Sequence, residues 1–448
     1  MKLLPPCRVL AAAAFLLGAA LPSAACAQPG GGEVTAFVDV TVIPMDTERS
    51  LPGHTVVVRG DRIVAVGPGA SVAVPAGARR VDGRGKYLTP GLAEMHGHVP
   101  PPSAPAQLTE DVLFLYLANG ITTVRGMLGA EGQLELRRRT NTGQVWGPTL
   151  YLAGPSFNGN SVNGPDDAVR MVREQRAAGW DLLKVHPGLT LPEYDAMART
   201  AAEEGIRFGG HVPAEVGLMH AIRMGQETFD HVDGYVEYAG GAEGPIDPAK
   251  LDSAVRATRE AGAAVVPTMA LWEVLYTTPP LEQLLAYPEL RYTSAQSVQQ
   301  WTHAYNQRRN APQYNAQTAM RTIEARQQVL AALHRGGARI LMGTDAPQQF
   351  SVPGFSLHRE FPRMRAAGMS PYDILATGTR NVGEYFQRQD AFGTIAVGRR
   401  ADLLLLDADP LADVANLQRI AGVMARGRWM PASEIRTRLE AVAARNPR

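Results

Sequence analysis

Eight short apolar runs alternate with helix-like stretches through the middle of the chain, and this alternation limits the fold more than any other feature. Several runs are continuously hydrophobic, as expected for parallel strands that helices cover on the outside. Eight parallel strands with intervening helices close into a barrel. The sequence therefore predicts an α/β fold, a (β/α)₈ barrel of the TIM type, with strands at residues 88–98, 122–125, 149–153, 182–186, 207–211, 228–232, 263–268 and 339–345.

Short runs rich in Val and Ile flank this region on both sides and are separated by turn-forming residues. They predict a small β-sandwich built jointly from residues 28–88 and 388–448, beside a barrel domain at 89–387. Residues 271–337 are too many for one crossover and are rich in Gln, Arg and Ala, so we expect a helical insertion. A lid over the barrel mouth and an outer layer without substrate contact are equally compatible with this insertion.

Residues 1–27 have the pattern of a secretory signal peptide. Lys2 and Arg8 lead an apolar run at 9–21, and small residues at 25–27 precede the expected cleavage point. The run is shorter than the roughly 20 residues that a membrane-spanning helix needs. We therefore expect an exported protein, periplasmic or secreted, that has no membrane attachment after the signal is removed.

Composition excludes several kinds of site and partner. Cys7 and Cys26 are the only cysteines and both lie in the signal segment, so the mature chain would have neither a cysteine nucleophile nor Cys-ligated zinc. Lys+Arg 44 against Asp+Glu 43 leaves a formal net charge of +1, and this balance gives no indication of a nucleic-acid surface. The sequence therefore predicts a small-molecule substrate and no nucleic-acid partner.

Candidate metal ligands stand at the ends of five predicted strands. His96 and His98 in MHGHV are two residues apart, so the strand period of two places both imidazoles on the same inward face. Four further candidates close other apolar runs, in DLLKVHP, RFGGHVP, TFDHVDG and ILMGTDAP: Lys184, His211, His231 and Asp345. Each residue alone is more often a core or loop residue. Because the strand ends of a parallel barrel open on one face, the whole set predicts a metal site there.

Lys184 needs a chemical change before it can bind a metal, because an ammonium group has no lone pair. Desolvation and nearby cations lower the pKa of a lysine and expose the free amine. A free amine can take up carbon dioxide to form a carbamate, which offers one oxygen to each of two metals. We therefore expect carbon dioxide to be bound as a carbamate on Lys184.

The ordered set of HxH, Lys, His, His and Asp resembles the ligand set of the amidohydrolase superfamily. Within it the chain is similar to the imidazolonepropionase-related, Xaa-Pro dipeptidase-like (prolidase-like) branch. The segments that carry the likeness are TPGLAEMHGH, GITTVRG, GTDAP, LHRE and GTIAVGRRADLLLLDADP. The resemblance covers nearly the whole mature chain. It implies two divalent metal ions, commonly zinc, and a possible homo-oligomer.

The same resemblance implies a role for each ligand. His96, His98 and Asp345 would bind the first metal, His211 and His231 the second, and carboxylated Lys184 would bridge the two. The implied reaction is hydrolysis of an amide C–N bond, in a dipeptide or an N-acyl amino acid, by a metal-bridging hydroxide with Asp345 as acid and base. The candidate substrate contacts are Tyr235, His358 and Arg125.

Other functions remain compatible with these residues. A lactonase or a phosphotriesterase-like hydrolase could use the same dinuclear site, since activated water does not dictate the electrophile. A non-catalytic periplasmic binding protein could keep the barrel without turnover. A deaminase is disfavoured, because mononuclear deaminases of the superfamily usually place a Glu three residues after the fifth-strand His, where this chain has Ala214, with Glu215 one position later.

Overall fold

The computed structural model describes residues 33–447, so the predicted signal peptide lies outside the described residues. The strands are β1 (Val34–Val42), β2 (Leu51–Arg59), β3 (Arg62–Pro68), β4 (Arg79–Asp82), β5 (Tyr87–Pro90), β6 (Leu92–Gly97), β7 (Ile121–Gly126), β8 (Thr149–Leu152), β9 (Leu182–Val185), β10 (Arg207–Gly210), β11 (Thr228–Asp230), β12 (Ala264–Val266), β13 (Arg339–Ile340), β14 (Leu403–Leu406), β15 (Ile420–Ala425) and β16 (Arg428–Pro431).

The α-helices of the same region are α1 (Ala106–Ala118), α2 (Gln133–Asn141), α3 (Pro165–Ala178), α4 (Leu191–Glu204), α5 (Leu218–Arg223), α6 (Tyr235–Tyr238), α7 (Pro248–Glu260), α8 (Met269–Leu275), α9 (Leu281–Leu285), α10 (Ala295–Arg309), α11 (Ala316–Arg335), α12 (Leu357–Ala366), α13 (Pro371–Gly378), α14 (Arg380–Tyr385) and α15 (Ala432–Arg445). Two 3₁₀ helices lie at Pro288–Tyr292 and Val414–Gln418. Across residues 33–447, each helix is too short or too polar to span a bilayer.

Strands from both ends of the described chain pair in one eight-stranded sheet. Its order is β16-β15-β14-β5-β1-β2-β3, with β4 beside β1. The two ends meet where β14 runs antiparallel to β5, with Leu403 opposite Pro90 and Leu406 opposite Tyr87. The predicted joint contribution of the two segments to one sheet is therefore observed, whereas their assignment to a separate sandwich domain stays a prediction.

The run of four leucines in β14 is buried on both faces of this sheet. Leu403 and Leu405 pack with Phe37 and Trp429 in the apolar layer of the sheet itself. Leu404, which points the opposite way, belongs with Leu406 to the main core of the protein. Because alternate side chains enter two different apolar layers, the strand is continuously hydrophobic rather than alternating.

The central strands form two parallel sheets. One has the order β6-β7-β8 and the other the order β13-β12-β11-β10-β9, so the predicted parallel α/β arrangement is confirmed. Backbone hydrogen bonds also connect the two sheets at both of their edges. Gly154 N donates to Leu182 O at 3.0 Å, and Met95 N donates to Met342 O at 2.8 Å.

The first predicted strand, 88–98, is divided in the structure between β5 and β6. Gly91 lies at the break, where the chain leaves the terminal sheet and enters the parallel one. A Cβ atom at Gly91 would lie 2.3 Å from Thr122 Oγ1. Only glycine therefore lets the backbone pass this close to β7 and change sheets, which the apolar pattern alone does not reveal.

Helices α8 to α11 lie between β12 and β13, in the region predicted as a helical insertion. Two contacts join α10 to the loop that follows β13. Arg308 Nη1 donates to Gln349 Oε1 at 2.6 Å, and the rings of Trp301 and Phe350 lie 5.7 Å apart. The insertion thus contacts the loop that leads away from Asp345.

Candidate metal centre

The ends of the parallel strands bring the six predicted ligands together. His96 and His98 lie at the end of β6, Lys184 is in β9, and three further ligands follow their strands directly or after a short segment: His211 after β10, His231 after β11 and Asp345 after β13. One suitable atom each of His96, His231 and Asp345 lies within 4.8 Å of the others. Asp345 Oδ1 also accepts a hydrogen bond from His98 Nε2.

The histidine rings form a continuous row across the strand ends. The ring centroids are 5.6 Å apart for His98 and His96, 4.5 Å for His96 and His231, and 4.5 Å for His231 and His211. His186 continues the row, 5.0 Å from His211. The four predicted imidazoles therefore share one site with a fifth that follows Lys184 by two residues.

Lys184 lies next to His96 in this site, and its side chain is fully buried. Its Nζ is 3.4 Å from His96 Nε2 and 3.7 Å from Asp230 Oδ2. Burial lowers the pKa of this amine below its usual range, although the nearby Asp230 and Asp345 act in the opposite direction. A lowered pKa increases the uncharged fraction, which is the form that reacts with carbon dioxide.

A glycine next to His211 makes room for this lysine. Gly210 has φ +127, and a Cβ atom there would lie 2.4 Å from Val185 O and 3.0 Å from Lys184 Cδ. A larger residue would therefore displace both the strand pairing and the lysine side chain. The close approach of β10 to β9 thus explains Gly210, whereas Gly209 faces β11, where a Cβ atom would lie 2.1 Å from Thr228 Oγ1.

Asp345 combines burial with an ionised carboxylate. Burial acts to raise the pKa of Asp345, but His96, His98 and Lys184 together lower it to about 2. Its Oδ2 lies 3.8 Å from His231 Nε2. The carboxylate is therefore charged at neutral pH and faces the imidazoles, as a metal ligand or proton acceptor must.

Two imidazoles are each held through Nδ1. His231 Nδ1 contacts Thr268 Oγ1 at 2.7 Å, and His211 Nδ1 contacts Asp233 Oδ2 at 2.6 Å. The buried Nε2 of His231 has no hydrogen-bond partner among the described residues. Metal-binding histidines typically have one nitrogen held in this way and the other turned to the ion. The donor set and this unpartnered nitrogen fit a divalent metal ion.

Backbone strain is concentrated at the same strand ends. His231 has φ 65, Thr268 has φ 45 and Asp345 has φ 64. Left-handed conformations are uncommon for residues other than glycine and cost on the order of 1–3 kcal/mol each. They persist where surrounding contacts hold them, and here they coincide with the candidate ligands.

Sequence reasoning missed several residues around the ligands. Asp230 Oδ2 lies 2.8 Å from His96 Nδ1, and Asp233 holds His211. Both aspartates occur in TFDHVDG, and their closeness to His231 in the sequence is the feature that could have indicated their role. Glu94 accepts from His96 N at 3.1 Å and from Thr344 N at 2.8 Å, which ties the end of β6 to the segment before Asp345.

The three residues predicted to contact the substrate make hydrogen bonds to other residues of the protein. Tyr235 is fully buried, and its hydroxyl contacts Thr258 Oγ1 at 2.6 Å. His358 Nε2 contacts Asn119 Oδ1 at 3.1 Å.

Arg125 is also fully buried. It donates to Thr228 Oγ1 at 3.0 Å and to Asp230 Oδ1 at 3.2 Å, so it supports the aspartate beside His96. A substrate contact for Tyr235, His358 or Arg125 stays a prediction that their burial and internal bonds do not favour.

Comparison with known proteins identifies the family of this chain. The model of the amidohydrolase family matches residues 87–430, which include all six candidate ligands. The chain belongs to the amidohydrolase family. Among curated relatives of this family member, adenine deaminase of Rubrobacter xylanophilus is 27% identical over 414 residues, covering 88% of this chain and 57% of that protein.

Adenine deaminase of Ruegeria pomeroyi is 26% identical over 216 residues, covering 44% of this chain and 35% of that protein. This amidohydrolase-family chain therefore spans just over half the length of the first curated relative and about a third of the second.

Solved structures share the fold at low identity. An Xaa-Pro dipeptidase with methionine bound in its active site has a TM-score of 0.68 at 19% identity, covering 89% of this chain and 100% of that one. Bottromycin amidohydrolase has a TM-score of 0.71 at 24% identity, covering 91% and 90%. Ochratoxinase of A. niger has a TM-score of 0.67 at 18% identity, covering 90% and 96%. These likenesses show a common fold among proteins with different substrates.

Proposed function

We propose that this protein is a metal-dependent hydrolase that cleaves an amide C–N bond in a dipeptide or an N-acyl amino acid. One observation carries the proposal. Side chains from five separate strand ends converge on a buried site, where His231 Nε2 has no hydrogen-bond partner within residues 33–447 and lies 3.8 Å from the carboxylate of Asp345. Such an arrangement of imidazoles and a carboxylate is costly to bury unless a cation completes it.

Two divalent ions, with zinc as the first choice, are proposed for this site. His96, His98 and Asp345 would hold one ion, His211 and His231 the other, and Lys184 would contribute as its carbamate. When bound, such ions lower the pKa of a coordinated water and polarise the carbonyl of the substrate. The residues of the chain then need only to position the groups and move one proton.

Asp345 is the proposed proton carrier. Its carboxylate, with a pKa of about 2, is ionised at neutral pH, so it can accept the proton of the attacking water. The carboxyl group of Asp345 can then donate that proton to the leaving nitrogen, which must be protonated before the amide bond breaks. In the metal-free structure His98 Nε2 lies against Oδ1 of this carboxylate, so the imidazole and the carboxylate are already next to each other where both would hold the ion.

We further propose that the two parallel sheets form one closed eight-stranded barrel. The support is hydrogen bonding at both sheet edges, from Gly154 N to Leu182 O and from Met95 N to Met342 O. The family match and the dipeptidase-like fold agree with this closure. A closed barrel would place all eight strand ends around one mouth, with the candidate ligands at its base.

Adenine deamination is the second candidate, because both curated relatives described above are named adenine deaminases. It is also hydrolysis of a C–N bond. Against it, Ala214 stands where the superfamily's mononuclear deaminases usually have Glu, and Ala214 and Glu215 are both exposed. The amide substrate therefore remains the leading proposal.

A substrate panel tests the function directly. Purified, zinc-loaded protein is assayed on Xaa-Pro and other dipeptides, N-acyl amino acids, adenine, lactones and phosphotriesters. Hydrolysis of the dipeptides or acyl amino acids is expected. Release of ammonia from adenine alone would favour the deaminase, and activity on lactones or phosphotriesters alone would favour those alternatives. A metal-loaded protein that turns over none of these substrates would favour the alternative of a non-catalytic binding protein.

Export to the periplasm or medium is also proposed, on the pattern of residues 1–27. The test is cell fractionation followed by mass spectrometry of the mature N-terminus. A chain in the periplasm or medium that begins at Gln28 is expected. A chain that stays in the cytoplasm with Met1 and residues 2–27 attached would contradict export.

Replacing Asp233 by Asn is expected to lower zinc affinity by roughly 10–100-fold, the usual effect of losing an outer contact to a metal-binding histidine. The reason is that Asp233 holds Nδ1 of His211 through a charged acceptor. Zinc affinity is measured by competition with a chelating indicator. Asp195→Asn is the matched control, since Asp195 holds His220 at the same distance of 2.6 Å but away from the candidate ligands. Equal affinity in the two variants would contradict the proposed support of His211 by Asp233.

A further inference from the structure

Glu360, in the LHRE segment, is a fully buried carboxylate outside the candidate ligand set. It lies on α12 and contacts the start of α8 with both oxygens. Oε2 accepts from Met269 N at 2.9 Å, and Oε1 accepts from Ala270 N at 2.8 Å. The first N–H groups of a helix have no partner within the helix. One carboxylate therefore fixes the beginning of α8.

The residue before this helix is Thr268, which holds His231. Thr268 is buried and has φ 45 and ψ 45, a left-handed conformation that a β-branched residue rarely adopts. Its Oγ1 is 2.7 Å from His231 Nδ1. The bonds from Glu360 act on Met269 and Ala270, the two residues that follow Thr268, so they restrain the strained turn from its helical side.

Helix α8 also contacts the His231 ring. Trp272 lies one turn into α8, with its ring 5.7 Å from that of His231. The guanidinium of Arg326 stacks on Trp272 at 4.0 Å and donates to the carbonyl of His231. A displacement of α8 would therefore move both the hydroxyl and the indole that surround this histidine.

We infer that Glu360 is a positioning residue that, by fixing the first turn of α8, keeps the Thr268 hydroxyl on His231 Nδ1 and leaves Nε2 as the nitrogen for the metal. A neutral imidazole has one proton. When Nδ1–H donates to Thr268 Oγ1, the lone pair is on Nε2, which faces Asp345. This inference rests on the proposed metal centre, but its first consequence, the tautomer of His231, exists in the metal-free protein.

The test compares Glu360→Gln with Glu273→Gln. A glutamine at 360 would place its NH₂ group against one of the two backbone N–H donors. Glu273 lies on α8 and pairs with Arg363 of α12, so its replacement makes the same chemical change between the same two helices without removing the contacts to Met269 and Ala270. The tautomer of His231 is read by ¹⁵N NMR of the metal-free, histidine-labelled protein, with the resonance assigned from its loss in His231→Gln.

Wild type and Glu273→Gln are expected to have the Nδ1-protonated tautomer, and Glu360→Gln a mixture or the opposite one. Zinc affinity is expected to fall by roughly 10–100-fold in Glu360→Gln only. Wild-type tautomer and affinity in folded Glu360→Gln would overturn the inference.

Thr268→Val and Thr268→Ser provide a second test, which does not require the Glu360 variant to fold. The valine variant is expected to lose the wild-type tautomer, and the serine variant, which keeps the hydroxyl, to retain it. A folded Thr268→Val protein with the wild-type tautomer would overturn the inference, because its last link would be absent. If wild type binds no zinc, the proposed function fails while the tautomer result still decides this inference.

Discussion

Replacing Asp345 by Asn is expected to lower kcat by roughly 10²–10⁴-fold, the usual contribution of a positioned acid or base. Asparagine has nearly the same shape but cannot take up and return a proton at neutral pH. Steady-state kinetics on the best substrate of the panel measures the effect. Metal content per chain is determined on the same samples, because Asp345 is also a proposed ligand and a loss of metal would lower kcat for a different reason.

Asp407→Asn is the control for this substitution. Asp407 pairs with Lys86 in the terminal sheet, away from the ligand cluster, and its replacement is expected to leave kcat unchanged. Activity of Asp345→Asn within tenfold of wild type, at equal metal content, would show that another group carries the proton.

Replacing Lys184 by Met is expected to abolish binding of the second metal ion, with zinc affinity falling by more than the roughly 10–100-fold typical of an outer contact. Methionine fills much of the same buried volume but cannot form a carbamate. Elemental analysis should find about two zinc ions per wild-type chain and at most one in the variant. Intact mass of the native wild-type protein should reveal a labile carbon dioxide adduct.

Carbon dioxide provides the control for the Lys184 experiment. Zinc uptake by wild-type apoprotein is expected to be slower in buffer depleted of carbon dioxide and to be restored by bicarbonate, because the carbamate must form first. Uptake by Lys184→Met is expected to be insensitive to bicarbonate, and Lys86→Met, at a partly exposed position, to behave as wild type. Two tightly bound ions in Lys184→Met would contradict a bridging role for Lys184.

Much of the central architecture could be predicted because it rests on local patterns. Continuous apolar runs predicted the parallel strands, and the ligands at their ends predicted the cluster that the structure brings together. Strand limits were less accurate, since Gly91 divides the first run between two sheets for reasons of close backbone approach. The burial of Tyr235 does not favour its predicted contact with substrate. The position of a residue just after a strand does not show whether its side chain packs into the core.

By itself, the sequence determined the parallel α/β framework and the residues that reach its strand ends. The period of two that aligns His96 and His98, and the apolar runs that end at His211 and His231, are properties of a few neighbouring residues. Only the tertiary structure decided which other residues hold those ligands in position through hydrogen bonds. Thr268 reaches His231 across 37 positions, and Glu360 reaches Met269 across 91. Contacts between such distant residues depend on how helices pack against strands, and a common residue such as Thr or Glu gives no local signal of that packing.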